Sequence, residues 1–163
     1  MFDDRRKFEG QQGALPRFLQ TLYLTADDYG MQIDRNPVVD YGNFNASAQA
    51  IHAACEILFN KVQRERGGPP EMLMFIIKGR NPIIYDHVKQ FCDTERGVQS
   101  QALDSFNVQK KGGDRSYHAN LLLKVNTKLG GTTVTLNNNF TGRDNPTVCW
   151  LLFFFLMVDV YWS

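Results

Sequence analysis

Met72-Leu73-Met74-Phe75-Ile76-Ile77, followed at once by Lys78-Gly79-Arg80-Asn81-Pro82, is the passage that decides the fold. Six consecutive apolar residues have the length of a strand and present no polar face. A strand of that kind is buried on both sides, as in a parallel sheet covered by helices. Gly67-Gly68-Pro69-Pro70 breaks the chain before it, and the polar Gly/Asn/Pro turn ends it. A helical pattern then runs from about Ile83 to Cys92, so the passage reads as strand, tight loop, helix.

Upstream, Ala48, Ile51, Cys55, Leu58 and Val62 recur at spacings of three and four, the apolar stripe of a helix. Asn45 reads as its N-cap and Gly67 as its stop. Pro16 starts an earlier helix carrying Phe18, Leu22, Ala26 and Tyr29, which Gly30 ends. Met31 to Ile33 reads as a short strand, and Asp34 to Phe44 as turns around Asn36-Pro37. Downstream, Val98 to Leu103 is a second strand and Gln109 to Arg115 a Gly- and Lys-containing loop. Ser116 caps a helix to Leu129, Gly130-Gly131 ends it, and Thr132 to Leu136 is β-branched and strand-like. Strands alternating with helices predict an α/β fold with a largely parallel central sheet flanked by helices. In such folds ligands sit beyond the carboxyl ends of strands, where the loop from Lys78 to Pro82 lies. The expected organisation is a polar lead-in at 1–15, one domain at 16–136 and an atypical tail at 137–163.

The 163 residues suit a single domain of ordinary composition, with 43% hydrophobic and 21% charged residues. The net charge of +1 does not announce a nucleic-acid partner, but its distribution is uneven. Between Lys78 and Lys128 nine Lys/Arg face five Asp/Glu, which points to a localised anion site or to ordinary solvated helix faces. Cys55, Cys92 and Cys149 are odd in number and far apart, and with His52, His87 and His118 they match no metal spacing. A reducing compartment follows. Met1 to Gly13 lacks the apolar run of a signal peptide, so the sequons at Asn45 and Asn139 read as chance.

Two pairs of side chains stand out by spacing. Tyr85 and Lys89 are four apart on one predicted helix, and Lys124 and Lys128 are four apart on another. Like charges at that spacing cost a helix a few tenths of a kcal/mol, and an anion held between them reverses the sign. A phosphate monoester, with about −1.5 to −2 charges near neutral pH, suits such a place. A tyrosine beside lysines can also offer a ring face to a base. By spacing alone, solvated helix faces account for these pairs equally well.

The segment from Ile84 to Gly131 resembles the MID domain of Argonaute proteins. The likeness rests on Ile84-Tyr85-Asp86-His87-Val88-Lys89, Cys92-Asp93, Gly97-Val98-Gln99-Ser100-Gln101, Asn107-Val108 and Leu123-Lys124-Val125-Asn126-Thr127-Lys128-Leu129-Gly130-Gly131. The resemblance implies a Rossmann-like fold. It further implies that Tyr85, Lys89, Gln101, Lys124 and Lys128 hold the 5′-phosphate of a small guide RNA, with Tyr85 stacked on the first base. The loop Lys78, Gly79, Arg80, Asn81, Pro82 and Ile83 corresponds to the family's reader of that base, with Arg80 and Asn81 able to add side-chain contacts. Ala102 stands where many relatives carry cysteine. The implied partners are a small guide RNA 5′ end and, in vitro, nucleoside monophosphates. No cofactor or metal is expected, and the chain is expected to act as a cytoplasmic monomer with no membrane association in RNA-mediated silencing.

After Leu136 the resemblance is not followed. Val148 to Val158 is almost wholly apolar, yet eleven residues fall short of the roughly 20 needed to span a bilayer. It reads as a buried strand or as an abnormal C-terminus. Asp144 and Asp159 are isolated acids, so the RNase H-like Piwi domain and its cleavage activity are expected to be absent. Two alternatives stay open: a truncated Argonaute paralogue or decoy without a silencing role, and a nucleotide-dependent enzyme on a Rossmann-like fold. Against the enzyme, no Gly-x-Gly-x-x-Gly or Gly-x4-Gly-Lys-Ser/Thr occurs.

Overall fold

The computed structural model describes residues 13–41, 47–79 and 81–133. Internal contacts divide the chain after Gly131, and the fold below is that of the first unit. In chain order it comprises α1 (Ala14–Asp28), α2 (Ala48–Arg66), β1 (Met72–Ile77), α3 (Pro82–Lys89), a π-helical segment (Gln90–Arg96), β2 (Gln99–Asp104), α4 (Ser105–Lys111) and α5 (Arg115–Lys128).

β1 and β2 pair in parallel, from Met72 opposite Gln99 to Ile77 opposite Asp104. α3 and the π-helical segment form the crossover between them, as a parallel pair requires. The alternation of side chains along β1 then builds two cores. Leu73, Phe75 and Ile77 join Ile51, Cys55, Phe59, Ile84, Val88, Phe91, Cys92 and Val98 on one face. Met72, Met74 and Ile76 pack on the other face against the cluster of Phe18, Leu22, Ala26, Leu103, Val108, Leu121, Leu122 and Val125. The sheet therefore lies between α2 and α3 on one side and α1, α4 and α5 on the other. The apolar run that predicted a strand buried on both faces is buried at Leu73, Phe75 and Ile77 and only partly buried at Met72, Met74 and Ile76, and the α/β class holds.

Several local expectations are corrected. Met31 to Ile33 forms no strand, although Met31 and Ile33 pack against the second core. Tyr29 is exposed, because α1 ends at Asp28 and Tyr29 is its C-cap. Phe59, absent from the predicted stripe, is buried, while Ala48 is exposed. The helix after β1 is α-helical only to Lys89 and then widens into the π-helical segment. The expected loop at Gln109 begins as helix: Asp104 caps α4 by accepting from the Phe106 amide at 2.9 Å, and buried Val108 anchors it. Asp114, not Ser116, caps α5, accepting from the Ser116 amide at 2.9 Å. Ser47 caps α2, while Asn45, proposed for that role, lies outside the described residues. The strand expected at 132–136 also lies largely outside them, with Thr132 and Thr133 irregular. Among the described residues no helix is long and apolar enough to cross a membrane.

His118 is fully buried on α5, with its ring 4.7 Å from that of Phe18. Its Nε2 donates to the Gly112 carbonyl at 3.0 Å, tying α5 to the turn after α4. Burial pushes its pKa down, which favours the neutral ring.

Candidate functional site

The lysines singled out by sequence come from helices on opposite faces of the sheet. Lys89 ends α3, on one face, while Lys124 and Lys128 occupy the last turns of α5, on the other. They meet at β2. Lys128 Nζ donates to the Ser100 carbonyl at 2.6 Å and to Gln101 Oε1 at 2.7 Å. Lys89 Nζ donates to the same Ser100 carbonyl at 3.4 Å. Gln101 Nε2 donates to the Ala102 carbonyl at 2.9 Å, which turns its oxygen toward Lys128.

Local structure explains why Lys128 arrives there. Leu121, Leu122 and Val125 bury one face of α5, so the helix is held against the sheet. Gly130, with φ of 81°, takes the left-handed conformation that ends the helix just after Lys128. The Gly131 amide then bonds the Asn126 carbonyl at 2.8 Å. Across the sheet, Ile84 and Val88 bury one face of α3. Lys89 follows at the end of α3, where the helix runs on without a break into the π-helical segment.

The electrostatics follow from this convergence. Lys128 is pushed down to about 8, first by desolvation and then by the positive charges of Lys89 and Lys124. Asp93 works in the opposite direction: it pairs with Lys89 at 3.5 Å and raises Lys128. Two partly buried ammonium groups, the exposed Lys124 and one carboxylate thus act on one another at this corner, where an added anion would relieve the repulsion among the lysines. The two buried thiols in the core beside it are unsuited to nucleophilic chemistry, because burial pushes Cys55 up to about 12 and Cys92 up to about 11.

Tyr85 lies one turn before Lys89 on α3 and is exposed. The loop residues sit further away. Ser100 and Gln101 are in register with Leu73 and Met74, whereas Lys78 follows Ile77 at the carboxyl end of β1. Four residues of strand, about 13 Å, separate the two levels. The rule that ligands bind beyond the carboxyl ends of strands therefore describes the loop but not the lysine corner. α3 runs between the two levels with Tyr85 on it.

Within the loop, Lys78 and Gly79 are exposed, Ile83 is half exposed, and Arg80 lies outside the described residues. Gly79 has φ of 68°, a turn conformation that other residues rarely adopt. Asn81 caps α3: its Oδ1 accepts from the amides of Ile83 at 3.1 Å and Ile84 at 3.3 Å, with Pro82 in the first helical position. That oxygen is engaged by the helix. The pattern of Asn followed by Pro at a helix start was the signal for this. The sequence reading also left Ser100 and Asp93 out of the site. Asp93 was signalled by its spacing of four from Lys89, but the Ser100 contribution is a main-chain carbonyl and leaves no trace in residue type.

Comparison with known proteins gives the family of the chain. Residues 72–160 match the Piwi domain family, a span that includes 137–160, where the sequence reading had ended the likeness. The chain is 32% identical to protein argonaute of Schizosaccharomyces pombe over 134 residues, which covers 81% of the chain and 15% of the relative. It is 27% identical to protein argonaute 1A of Oryza sativa subsp. japonica over 146 residues (85% of the chain, 13% of the relative). It is 26% identical to protein argonaute 10 of Arabidopsis thaliana over 144 residues (85% and 14%). The chain thus spans about one-seventh of the length of these relatives. With more than half of its residues matched by the Piwi model and its relatives named as argonautes, the chain belongs to the Argonaute family.

Proposed function

We propose that this segment is a MID module that holds the 5′-monophosphate and first base of a small guide RNA in RNA-mediated silencing. The observation that carries the reading is the convergence of Lys89 and Lys128 from opposite faces of the sheet onto Ser100 and Gln101, with the charge of Lys124 acting on Lys128 from one turn earlier on α5. A terminal phosphate entering this corner takes charged hydrogen bonds from the lysines and from the Gln101 amide. Tyr85, exposed one turn away on α3, supplies the ring for the first base. The loop from Lys78 to Ile83 reads that base through its backbone. In this reading the module works in the cytoplasm as a single copy and contributes binding rather than cleavage.

Titration with uridine 5′-monophosphate, followed by NMR chemical shifts, tests the assignment. Binding at micromolar or weaker affinity is expected, with uridine lacking the phosphate giving no response. Lys124→Ala removes one charged hydrogen bond of about 1.5–3 kcal/mol and should weaken binding by about 10- to 100-fold. Equal shifts in Lys124→Ala and the unsubstituted chain would rule out the phosphate assignment.

A further inference from the structure

The phosphate reading makes use of three lysines, but the corner also holds an acid that the reading does not use. Asp93 sits in the π-helical segment directly after α3, with Oδ2 3.5 Å from Lys89 Nζ. Its side chain is half exposed, and Lys89 is three-quarters buried. It does not cap α3, whose first turn lies at the other end of that helix, and buried Phe91 and Cys92 anchor the segment without it. A carboxylate placed beside a phosphate site weakens the site, so its presence calls for a role other than affinity.

We propose that Asp93 sets the charge selectivity of the lysine corner, matching it to a phosphate monoester and disfavouring more highly charged 5′ ends. The proposal rests on the phosphate reading above. With Asp93 ionised, the three ammonium groups are offset to a net charge of two, close to the roughly two negative charges of a monoester. Coulomb energy scales with the product of charges, so a fixed carboxylate repels a ligand of four charges about twice as strongly as one of two. A triphosphate therefore loses more from Asp93 than a monophosphate does. Asp93 also holds Lys89 against the Ser100 carbonyl when no ligand is bound, so a bound phosphate takes over a lysine that is already in place.

The test is Asp93→Asn, which keeps the shape of an exposed side chain and removes only its charge. Dissociation constants are measured for uridine 5′-monophosphate and uridine 5′-triphosphate on both chains. A screened, partly exposed charge several ångströms away changes affinity by about twofold per unit of ligand charge, so the monophosphate should bind about fourfold tighter to the variant and the triphosphate about 16-fold tighter. Far-UV circular dichroism and thermal midpoint should stay unchanged, which separates a charge effect from a packing effect. If both ligands gain equally, or neither gains, Asp93 does not set selectivity, and the phosphate reading stands without it. If neither chain binds either ligand, the phosphate reading fails and this inference fails with it.

Discussion

At the scale of the residue, Lys128 carries the clearest consequence. Its folded pKa of about 8 lies below the ordinary lysine value of 10.5. Below pH 8 both folded and unfolded chains hold the proton, and the folded state bears the full cost of a half-buried, repelled charge. Between pH 8 and 10.5 the unfolded chain binds more protons than the folded one, so stability rises with pH across that window. Urea unfolding at pH 7, 9 and 10.5 should show this rise in the unsubstituted chain and its loss in Lys128→Met. Ligand binding responds in the opposite sense. A phosphate requires the charged lysine, so affinity for uridine 5′-monophosphate should fall as pH rises above 8. It should also fall below about pH 6, where the phosphate loses its second charge. A binding profile that stays flat from pH 7 to 10 would show that Lys128 is not a ligand of the phosphate.

At the scale of the element, the start of α3 links the loop to the phosphate corner. Asn81 bonds the first amides of α3, Pro82 fits the first turn, and Ile84 and Val88 anchor the helix to the core. The helix then carries Tyr85 and Lys89 in fixed relation. Asn81→Ala should cost about 1 kcal/mol of stability through the lost cap, whereas Asn81→Asp should cost little, because the carboxylate caps equally well. Chemical denaturation of the two variants checks this. The cap was legible in the residues Asn81-Pro82, and so was the pairing of Tyr85 with Lys89. The change to a π-helix at Gln90 was not, since nothing in the order Gln-Phe-Cys-Asp distinguishes a widened turn from an α-helical one. α4 was missed for a different reason. Two turns of helix ending in Lys110-Lys111-Gly112-Gly113 look like a loop until the burial of Val108 is known.

At the scale of the whole molecule, two cores on opposite faces of β1 and β2 hold the lysines in place. Phe91 lies in the first, fully buried between Phe59 and His52, with ring centroids 6.4 Å and 5.2 Å away. The guanidinium of Arg96 stands 5.6 Å from its centroid. Phe91→Ala should cost about 3–5 kcal/mol, a large share of the 5–15 kcal/mol typical of a domain. The expected outcome is a lowered denaturation midpoint together with weaker phosphate binding, because this core seats the helix bearing Lys89. A variant that keeps its midpoint would show that the layer of α2 and α3 is not a cooperative part of the fold.

The sequence by itself determined the strand that organises the fold and the two lysine-bearing helix faces, because burial on both sides of a strand and spacing by four on a helix are local regularities. It also carried the family likeness through the order of Tyr85, Lys89, Gln101, Lys124 and Lys128. Only the tertiary structure decided that Lys89 and Lys128, 39 positions apart in the chain and on opposite sides of the sheet, share one carbonyl. No periodicity connects two helices packed on opposite faces, and their meeting point is set by how far each runs before it ends. The acceptor at that point belongs to the backbone of Ser100, and a main-chain oxygen is present at every residue. Its role comes from where the parallel pairing places it, and no choice of side chain reveals that.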